Sequence, residues 1–283
     1  MGVSSELPEP LARDHAPLLV GRQVAAASPQ GRFADGAAQL DGLVLARIEA
    51  YGKHSFHWYE GDLLLHVHLG LYGGWTVGRG EPPPPRGALR LRLSVEDAWF
   101  DLRGPIACEV ATPPERDLLL GRLGPDPLRR DADPERAWAR ITRSRVALGQ
   151  LLMDQSVLAG IGNVYRAEVL YRSGLSPFLP GRELERGRWE LLWDDLRSLL
   201  RAGVRSGRIV TTEREDRERR GGRPRREDAH YVYRRTGLPC RRCATPVRTQ
   251  VMAGRNLFWC PVCQGDRPPP QGAVVRPSAT SSP

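Results

Sequence analysis

Residues 151–170, "LLMDQSVLAGIGNVYRAEVL", place two apolar segments on either side of a glycine-containing turn. Apolar residues recur at three- and four-residue spacing on both sides, which predicts two amphipathic helices. Gly160 and Gly162 give the turn conformational freedom, and Asn163 stands where the second helix begins. Because the N–H groups at a helix N-terminus attract anions, the segment predicts a phosphate site. The alternative is that Asn163 serves only as the N-cap of that helix.

The helical period continues beyond this segment, and the first part of the chain has a different one. From about residue 134 onward, apolar residues keep the helical spacing, and Asp133 before Pro134 is typical of an N-cap followed by a first-turn proline. Residues 16–110 instead alternate or run apolar over strand lengths, with Gly, Asp or Pro between the runs. This pattern predicts an antiparallel β-sandwich or barrel.

The order of these patterns predicts an α+β protein with separate modules. We expect an N-terminal antiparallel β-sandwich domain over residues 1–123 and a helical domain with a charged linker over 124–235. A small cysteine module follows over 236–264, and the Pro- and Ser-rich residues 265–283 are typical of a disordered tail.

The charge of the chain is strongly uneven. The formal net charge is +9, and residues 201–250 alone hold 15 arginines and six acidic residues, so the rest of the chain sums to zero. A basic block on a neutral body is typical of a protein that binds a polyanion. For residues 213–228, which mix both signs, we expect only a solvated, unstructured loop.

The bulk composition narrows the class of protein. A hydrophobic content of 40% and seven tryptophans are typical of a globular protein. No run of about 18 apolar residues is present, which predicts that nothing spans a membrane. The first 15 residues contain no apolar segment of the kind found in secretory signals, so we expect a cytoplasmic location and no membrane partner.

Four of the five cysteines form two short-spaced pairs. The spacing C-x2-C, sixteen residues, C-x2-C can close a tetrahedral thiolate shell around Zn²⁺. We therefore predict a structural zinc site, with a redox role for one pair as the weaker alternative; the ligands are Cys240, Cys243, Cys260 and Cys263. Cys108 is expected to be a buried apolar thiol.

Two single basic residues require separate interpretation. Arg255 follows Gly254 at a predicted hairpin tip between the cysteine pairs, where it is either a phosphate contact or an ordinary surface arginine. Lys53 is the only lysine among 42 basic residues. Either this position needs a compact ammonium that arginine cannot replace, or codon bias left one lysine by chance.

Taken together, these motifs resemble those of the formamidopyrimidine-DNA glycosylase/endonuclease VIII family of base-excision repair enzymes. The resemblance covers residues 11–264, and the matching stretches are "SPQGRF", "GKH", "HVHLGLYG", "DLRGP", "LLMDQSVLAGIGNVYRAEVL" and "GRNLFWCPVCQ". It implies a β-sandwich, a helix–two-turn–helix domain and a C-terminal zinc finger, with damaged double-stranded DNA held in the cleft between them. The implied activity is removal of oxidised bases by base flipping, followed by abasic-site lyase chemistry through a Schiff base.

The resemblance also implies roles for particular residues. Lys53 matches the hairpin lysine that binds the phosphate next to the lesion and supports catalysis, which favours the functional explanation of this lone lysine. Asn163 and Arg255 match residues that hold further phosphates, and Arg103 is an additional candidate contact.

Leu71 and Tyr72 match the intercalation loop, whose side chains fill the gap left by the extruded nucleotide. A Leu-Tyr pair in this loop resembles that of the endonuclease VIII branch, whose substrates are mainly oxidised pyrimidines. We therefore expect a damaged duplex as partner, a monomeric protein and association with the nucleoid.

The N-terminus departs from the family pattern. Members open Met-Pro-Glu, and the freed proline amine is the nucleophile, but an ungapped comparison places Val3-Ser4 at those positions. The internal Pro8-Glu9 has no free amine.

Three explanations stay open for this departure. The start of the sequence is misassigned; or Met1 is removed and the Gly2 amine, with a pKa of about 7.7–8.0 in model peptides, is the nucleophile with Glu6 moving protons; or the chain is a non-catalytic, zinc-dependent protein that binds damaged DNA. Lys53 as a replacement nucleophile is a further, weaker alternative.

Overall fold

The computed structural model describes the backbone of residues 8–265 and the side chains of residues 12–265. One sheet has eight strands, and their bounds are β1 Gln23–Ala27, β2 Leu43–Tyr51, β3 His54–Tyr59, β4 Leu63–His68, β5 Gly74–Arg79, β6 Leu89–Val95, β7 Ala98–Arg103 and β8 Ala107–Ala111. The helices are α1 Pro8–Leu19, α2 Ala34–Leu40, α3 Pro113–Gly121, α4 Pro134–Thr142, α5 Leu148–Leu151, α6 Asn163–Arg172, α7 Arg186–Ser206 and α8 Pro261–Gln264. A hairpin of β9 Arg248–Met252 and β10 Arg255–Trp259 precedes α8.

The eight-stranded sheet folds back on itself as an antiparallel sandwich. Its strand order is β5-β7-β6-β1-β2-β3-β4-β8, and every neighbouring pair is antiparallel. Strand β1 changes partner along its length, because Val24 pairs with β2 whereas Ala25–Ala27 pair with β6. The two halves share one core that includes Leu65 and Phe100. The predicted α+β class and antiparallel β-sandwich are therefore confirmed.

Two helices lie at the start of and within the region that the sequence pattern predicts to be rich in β-strands. α1 extends to Leu19, which is completely buried in the sandwich core, and α2 buries Ala37 and Leu40 against the same core. The sequence pattern does not indicate these helices. α2 is too short to display a helical period, since its seven residues span less than two full turns.

The second region is a helical bundle around α6 and α7. Tyr165 and Trp189 are completely or almost completely buried in its core. The predicted N-cap of α4 is confirmed, since the Asp133 carboxylate accepts a hydrogen bond from the Glu135 N–H at 2.9 Å. The helix predicted before the glycine turn is only one turn long, Leu148–Leu151.

The charged segment 209–229 contains no helix or strand, but it is not a free linker. The N–H of Thr211 donates to the carbonyl of Ala229 at 2.9 Å, which ties the two ends of the segment together. Asp228 is buried and pairs with Arg241 of the cysteine module at 3.3 Å. The expectation of a solvated loop over residues 213–228 is therefore wrong at its C-terminal end, because a buried ion pair holds that end against the module.

The cysteine module packs on α6. Tyr171 of that helix contributes to a cluster with Val247 and Phe258 of the module. Ala253 and Gly254 join β9 to β10 with φ values of 51° and 72°, as a two-residue hairpin turn with a right-handed strand twist requires. No helix within residues 8–265 is long and apolar enough to cross a bilayer.

Candidate functional site

The turn between β2 and β3 is fixed against the helical bundle. The N–H of Gly52 donates to the buried Asp126 carboxylate at 2.8 Å, and the Tyr51 hydroxyl donates to the carbonyl of Gly124 at 2.9 Å. A Cβ atom on Gly52 would lie 3.0 Å from the Cβ of Ala159, and its φ is +58°. Glycine is therefore required here by close approach as well as by backbone conformation.

Lys53 follows this turn and reaches into the junction between the sheet and the helices. Its Nζ donates to the carbonyl of Ile161, in the glycine turn before α6, at 2.7 Å. The side chain borders a cavity of about 220 Å³, whose remaining lining residues are His68, Leu69, Gly70, Leu71, Tyr72, Gly104, Ile106, Gly162, Asn163 and Arg255. We call this cavity the cleft. The lone ammonium of the sequence is thus held in place at the junction.

Asn163 lines the cleft from the helical side. Gly162 is the N-cap of α6, and Asn163 is the first residue of the helix. No side chain caps this helix by a hydrogen bond. The alternative that Asn163 is simply the N-cap is therefore wrong. The Asn163 amide donates to the carbonyl of Asn256 at 2.9 Å, and its oxygen accepts from Arg166. The side chain is therefore held by the hairpin of the cysteine module.

Arg255 lines the cleft from that hairpin. It is the first residue of β10 and pairs with Met252 across the Ala253–Gly254 turn, at the hairpin tip that the sequence predicts. Lys53 from the sheet, Asn163 from the helices and Arg255 from the cysteine module therefore border one cavity. Three hydrogen-bond donors, two of them cationic, can hold a bent polyanionic backbone there.

Large apolar side chains stand exposed at the rim of the cleft. Leu71 and Tyr72, in the loop between β4 and β5, are 54% and 94% exposed. Ile106, between β7 and β8, is 73% exposed and packs on the same loop, since a Cβ on Gly70 would lie 2.3 Å from its Cδ1. Contiguous exposed apolar groups of this kind mark a binding surface. Sequence reasoning missed Ile106, which belongs to a short loop with no periodicity.

His68 is a second cleft residue that sequence reasoning missed. It ends β4, next to a hydrogen-bonded chain in which His54 Nδ1 lies 2.8 Å from His66 Nε2 and His66 Nδ1 lies 2.7 Å from Glu109. Burial, followed by the neighbouring His68, lowers the pKa of His54 to about 3, and burial together with Lys53 lowers that of His68. These two imidazoles are therefore neutral near pH 7. The available signal was the concentration of histidines in residues 54–68.

Arg103 does not line the cleft. At the end of β7 it donates to the buried carboxylate of Asp101 at 2.7 Å, and Arg92 donates to the same carboxylate at 2.6 Å. Burial alone would raise the pKa of Asp101, but the bonds from Arg92 and Arg103 outweigh it and hold that pKa below its ordinary value. The structure thus gives Arg103 an ion pair within the sandwich, and a phosphate contact by Arg103 stays a prediction.

The four paired cysteines form a metal centre. Their sulfur atoms all lie within 4.8 Å of one another, with Cys243 and Cys260 Sγ 3.4 Å apart and Cys240 and Cys263 Sγ 3.8 Å apart. Tetrahedral thiolates at about 2.3 Å from Zn²⁺ lie about 3.8 Å from one another, so the group fits this ion. Four protein ligands leave no position for substrate, so the zinc is structural.

Gly2 and Glu6, and with them Val3 and Ser4, lie outside the described residues. So does the predicted tail beyond Gly265. Their predicted roles stay predictions.

A β-sandwich, a helical bundle and a four-cysteine hairpin meet at one cleft with basic and apolar groups, which defines a zinc-containing class of protein suited to a nucleic-acid backbone. Three family models cover the chain: the formamidopyrimidine-DNA glycosylase N-terminal domain matches residues 5–105, the formamidopyrimidine-DNA glycosylase H2TH domain matches 123–215, and the zinc finger found in FPG and IleRS matches 237–265. The chain belongs to the formamidopyrimidine-DNA glycosylase/endonuclease VIII family.

Curated relatives agree over nearly the whole length. Endonuclease 8 1 of Mycobacterium tuberculosis is 48% identical over 259 residues, which is 90% of this chain and 96% of the relative. Formamidopyrimidine-DNA glycosylase of Thermus thermophilus is 35% identical over 271 residues, 93% of this chain and 99% of the relative.

Solved structures share the fold. The crystal structure of the MutM (Fpg) protein from Thermus thermophilus superposes with a TM-score of 0.75 at 31% identity, covering 94% of this chain and 100% of that chain. The complex of Lactococcus lactis Fpg with DNA containing an abasic site has a TM-score of 0.78 at 22% identity, covering 94% of this chain and 100% of that chain. At that identity the second likeness is one of fold alone.

Proposed function

We propose that this protein is a base-excision repair enzyme that removes oxidised bases, chiefly pyrimidines, from double-stranded DNA and then cleaves the abasic site. The observation that carries the proposal is that Lys53, Asn163 and Arg255 border one cleft, which the exposed Leu71 and Tyr72 also line. The names of the relatives, endonuclease 8 and formamidopyrimidine-DNA glycosylase, support the same reaction class.

The geometry suits a duplex that is bent at the damaged nucleotide. Lys53, Asn163 and Arg255 donate to phosphates of the damaged strand, and their three separate origins fix the path of that strand. Leu71 and Tyr72 enter the base stack from the loop between β4 and β5 and replace contacts of the extruded base. Stacking on an aromatic ring contributes about 1–3 kcal/mol per base, which offsets part of the cost of unstacking.

The chemical step requires an amine that attacks C1′ of the damaged nucleotide. The sugar–base bond breaks, the base leaves with a proton, and the amine and C1′ form a Schiff base that allows elimination of the 3′ phosphate. In this proposal the Gly2 amine is the nucleophile and Glu6 moves the protons. Lys53 holds the neighbouring phosphate. Its hydrogen bond to the Ile161 carbonyl fixes the ammonium at the cleft for this contact.

The decisive test is borohydride trapping on a duplex with a single abasic site, followed by peptide mapping. We expect a covalent protein–DNA adduct at residue 2, because reduction converts the Schiff base into a stable secondary amine. An adduct on Lys53 would move the nucleophile to the hairpin. Tight, damage-selective binding without any adduct would contradict the enzymatic proposal and support a non-catalytic damage-binding protein instead.

The apolar pair gives a separate prediction. Replacing Leu71 and Tyr72 together with alanine should weaken binding to an abasic duplex by about 10- to 100-fold, because the gap in the stack is no longer filled. Binding to an intact duplex should change much less, as measured by fluorescence anisotropy with both duplexes.

The matched control is Leu118→Ala, since Leu118 on α3 is 62% exposed but does not line the cleft. Equal losses for the intact and the abasic duplex in the double variant would show that Leu71 and Tyr72 do not act as a wedge.

We further infer that a monomer acts on chromosomal DNA in the nucleoid, because one chain supplies every proposed contact. Sedimentation of the complex with an abasic duplex should therefore give one protein chain per duplex. A complex with two chains at one site would contradict this inference.

A further inference from the structure

Arg166, the fourth residue of α6, is a buried arginine to which the described part of the chain offers no carboxylate partner. Its side chain is among the largest that are fully buried, with 0% exposure. Among residues 12–265, no carboxylate oxygen lies within 4.0 Å of its guanidinium, and its Nε has no hydrogen-bond partner. Buried charges are ordinarily paired, because removal from water is otherwise strongly unfavourable. This cation therefore needs an explanation.

Most contacts of Arg166 are to residues beside the cleft; the exception is a 3.5 Å bond to the carbonyl of Gly149 on α5. Its guanidinium donates to the side-chain oxygen of Asn163 and to the carbonyl of Asn256 at 3.2 Å. A weaker bond of 3.5 Å reaches the carbonyl of Met252. Met252 and Asn256 flank the hairpin tip that carries Arg255. Arg166 thus holds both the amide of Asn163 and the backbone around Arg255.

A second cation, Arg255, lies near Arg166. Burial, followed by the nearby Arg255, lowers the pKa of Arg166 to about 10, so the group is still cationic at neutral pH. In the DNA-free protein no described carboxylate compensates for this charge, whereas a phosphate bound in the cleft would do so. Desolvation by the surrounding protein also reduces the screening of its field.

Arg172 on the same helix shows what a structural arginine looks like in this protein. Its guanidinium donates to the two carboxylate oxygens of Asp195 at 2.8 and 2.7 Å and lies 2.7 Å from Glu213. The contrast between the paired Arg172 and the unpaired Arg166 suggests that only the first exists for the stability of the fold.

We propose that Arg166 is a positioning residue for DNA-phosphate binding, whose fixed charge holds Asn163 and Arg255 ready for a phosphate at the expense of stability in the DNA-free protein. This inference rests on the proposed function. It predicts effects of opposite sign on DNA affinity and on stability, which a purely structural role would not produce.

The test compares Arg166→Met with Arg172→Met in the full-length, zinc-loaded protein. Affinity is measured on a duplex containing a tetrahydrofuran abasic analogue, and stability as the midpoint of thermal unfolding without DNA. We expect Arg166→Met to bind about tenfold more weakly, the scale of one lost charge-assisted interaction, with full zinc content and an equal or higher midpoint. Arg172→Met should show a lower midpoint and unchanged affinity.

Two further variants separate charge from shape. Arg166→Lys, which keeps the charge, should recover part of the affinity, and Arg166→Gln, which keeps only a donor toward Asn163, should not. The inference is overturned if Arg166→Met binds like the wild type, or if it loses zinc or thermal stability as Arg172→Met does. If the wild type itself shows no preference for the abasic duplex, the proposed function fails and this inference fails with it.

Discussion

Replacing Cys260 with serine is expected to release the zinc ion and to weaken binding to an abasic duplex by at least about 100-fold. Cys260 is completely buried and its sulfur lies 3.4 Å from that of Cys243, so a serine cannot complete the tetrahedral shell. A module of this size folds with the energy of metal binding, because its own core is small. Without it, Arg255 is no longer held at the cleft, and Asn163 loses its contact with Asn256.

The experiment measures zinc per chain by mass spectrometry and DNA affinity on the same samples. Cys108→Ser is the matched control, because Cys108 lies on β8 of the sandwich and is not one of the four clustered sulfurs. That variant should keep its zinc and its affinity. A Cys260→Ser protein that retains one zinc ion per chain would reject the four-cysteine assignment, and zinc loss with unchanged affinity would reject a role of the hairpin in holding DNA.

Replacing Lys53 with alanine is expected to slow lesion processing by about 100-fold or more, the scale of losing one preorganised charged donor beside the reacting centre. Lys53→Arg is expected to restore little of the rate. The Lys53 Nζ lies 2.7 Å from the Ile161 carbonyl. The neighbouring turn is tightly packed, because a Cβ on Gly52 would lie only 3.0 Å from the Cβ of Ala159. The larger planar guanidinium cannot take the place of a compact ammonium there. Single-turnover rates at saturating enzyme measure this effect apart from binding.

Arg47→Ala provides the control for removing one positive charge from the same hairpin. Arg47 is exposed on β2 and stacks on the ring of Trp58 at 3.9 Å, outside the cleft lining. It should process lesions at close to the wild-type rate. If Lys53→Arg were as active as the wild type, the argument for a compact ammonium would be wrong. If Lys53→Ala lost thermal stability in proportion to rate, the loss would be one of folding.

Much of the local structure could be predicted from residue patterns. The strand periods in residues 41–60, the N-cap at Asp133 and the helix beginning at Asn163 are all present, because each is determined by neighbours along the chain. The same holds for the metal ligands, since two C-x2-C pairs bring their own sulfurs together once a hairpin forms.

The short helices and the charged segment show where such prediction failed. α2 buries Ala37 and Leu40 against the sandwich although its seven residues show no helical period. Asp228 belongs to a stretch with the composition of a solvated loop, yet it is buried by pairing with Arg241. In each case a contact between residues distant along the chain outweighs the local preference.

Some residues of the candidate site could be predicted from the sequence, and others only the structure identifies. The family motifs single out Lys53, Asn163 and Arg255, and the structure places all three at the cleft. The motif comparison assigns no role to His68, Ile106 or Arg166, whose positions at or beside the cleft only the structure shows. Arg103, which the motif DLRGP gives only as an additional candidate, is directed to Asp101 within the sandwich.

By itself the sequence determined which residues can bind zinc, which segments form the main strands and helices, and which side chains have the chemistry to hold a phosphate. These properties depend on residue type and on spacing within a few turns or strands. Only the tertiary structure decided that the Lys53 ammonium meets the Ile161 carbonyl, that Asn163 meets Asn256, and that the charge of Arg166 is left without a described carboxylate partner. The first two contacts join residues about a hundred positions apart, and they form only when the sheet, the helical bundle and the cysteine module pack together.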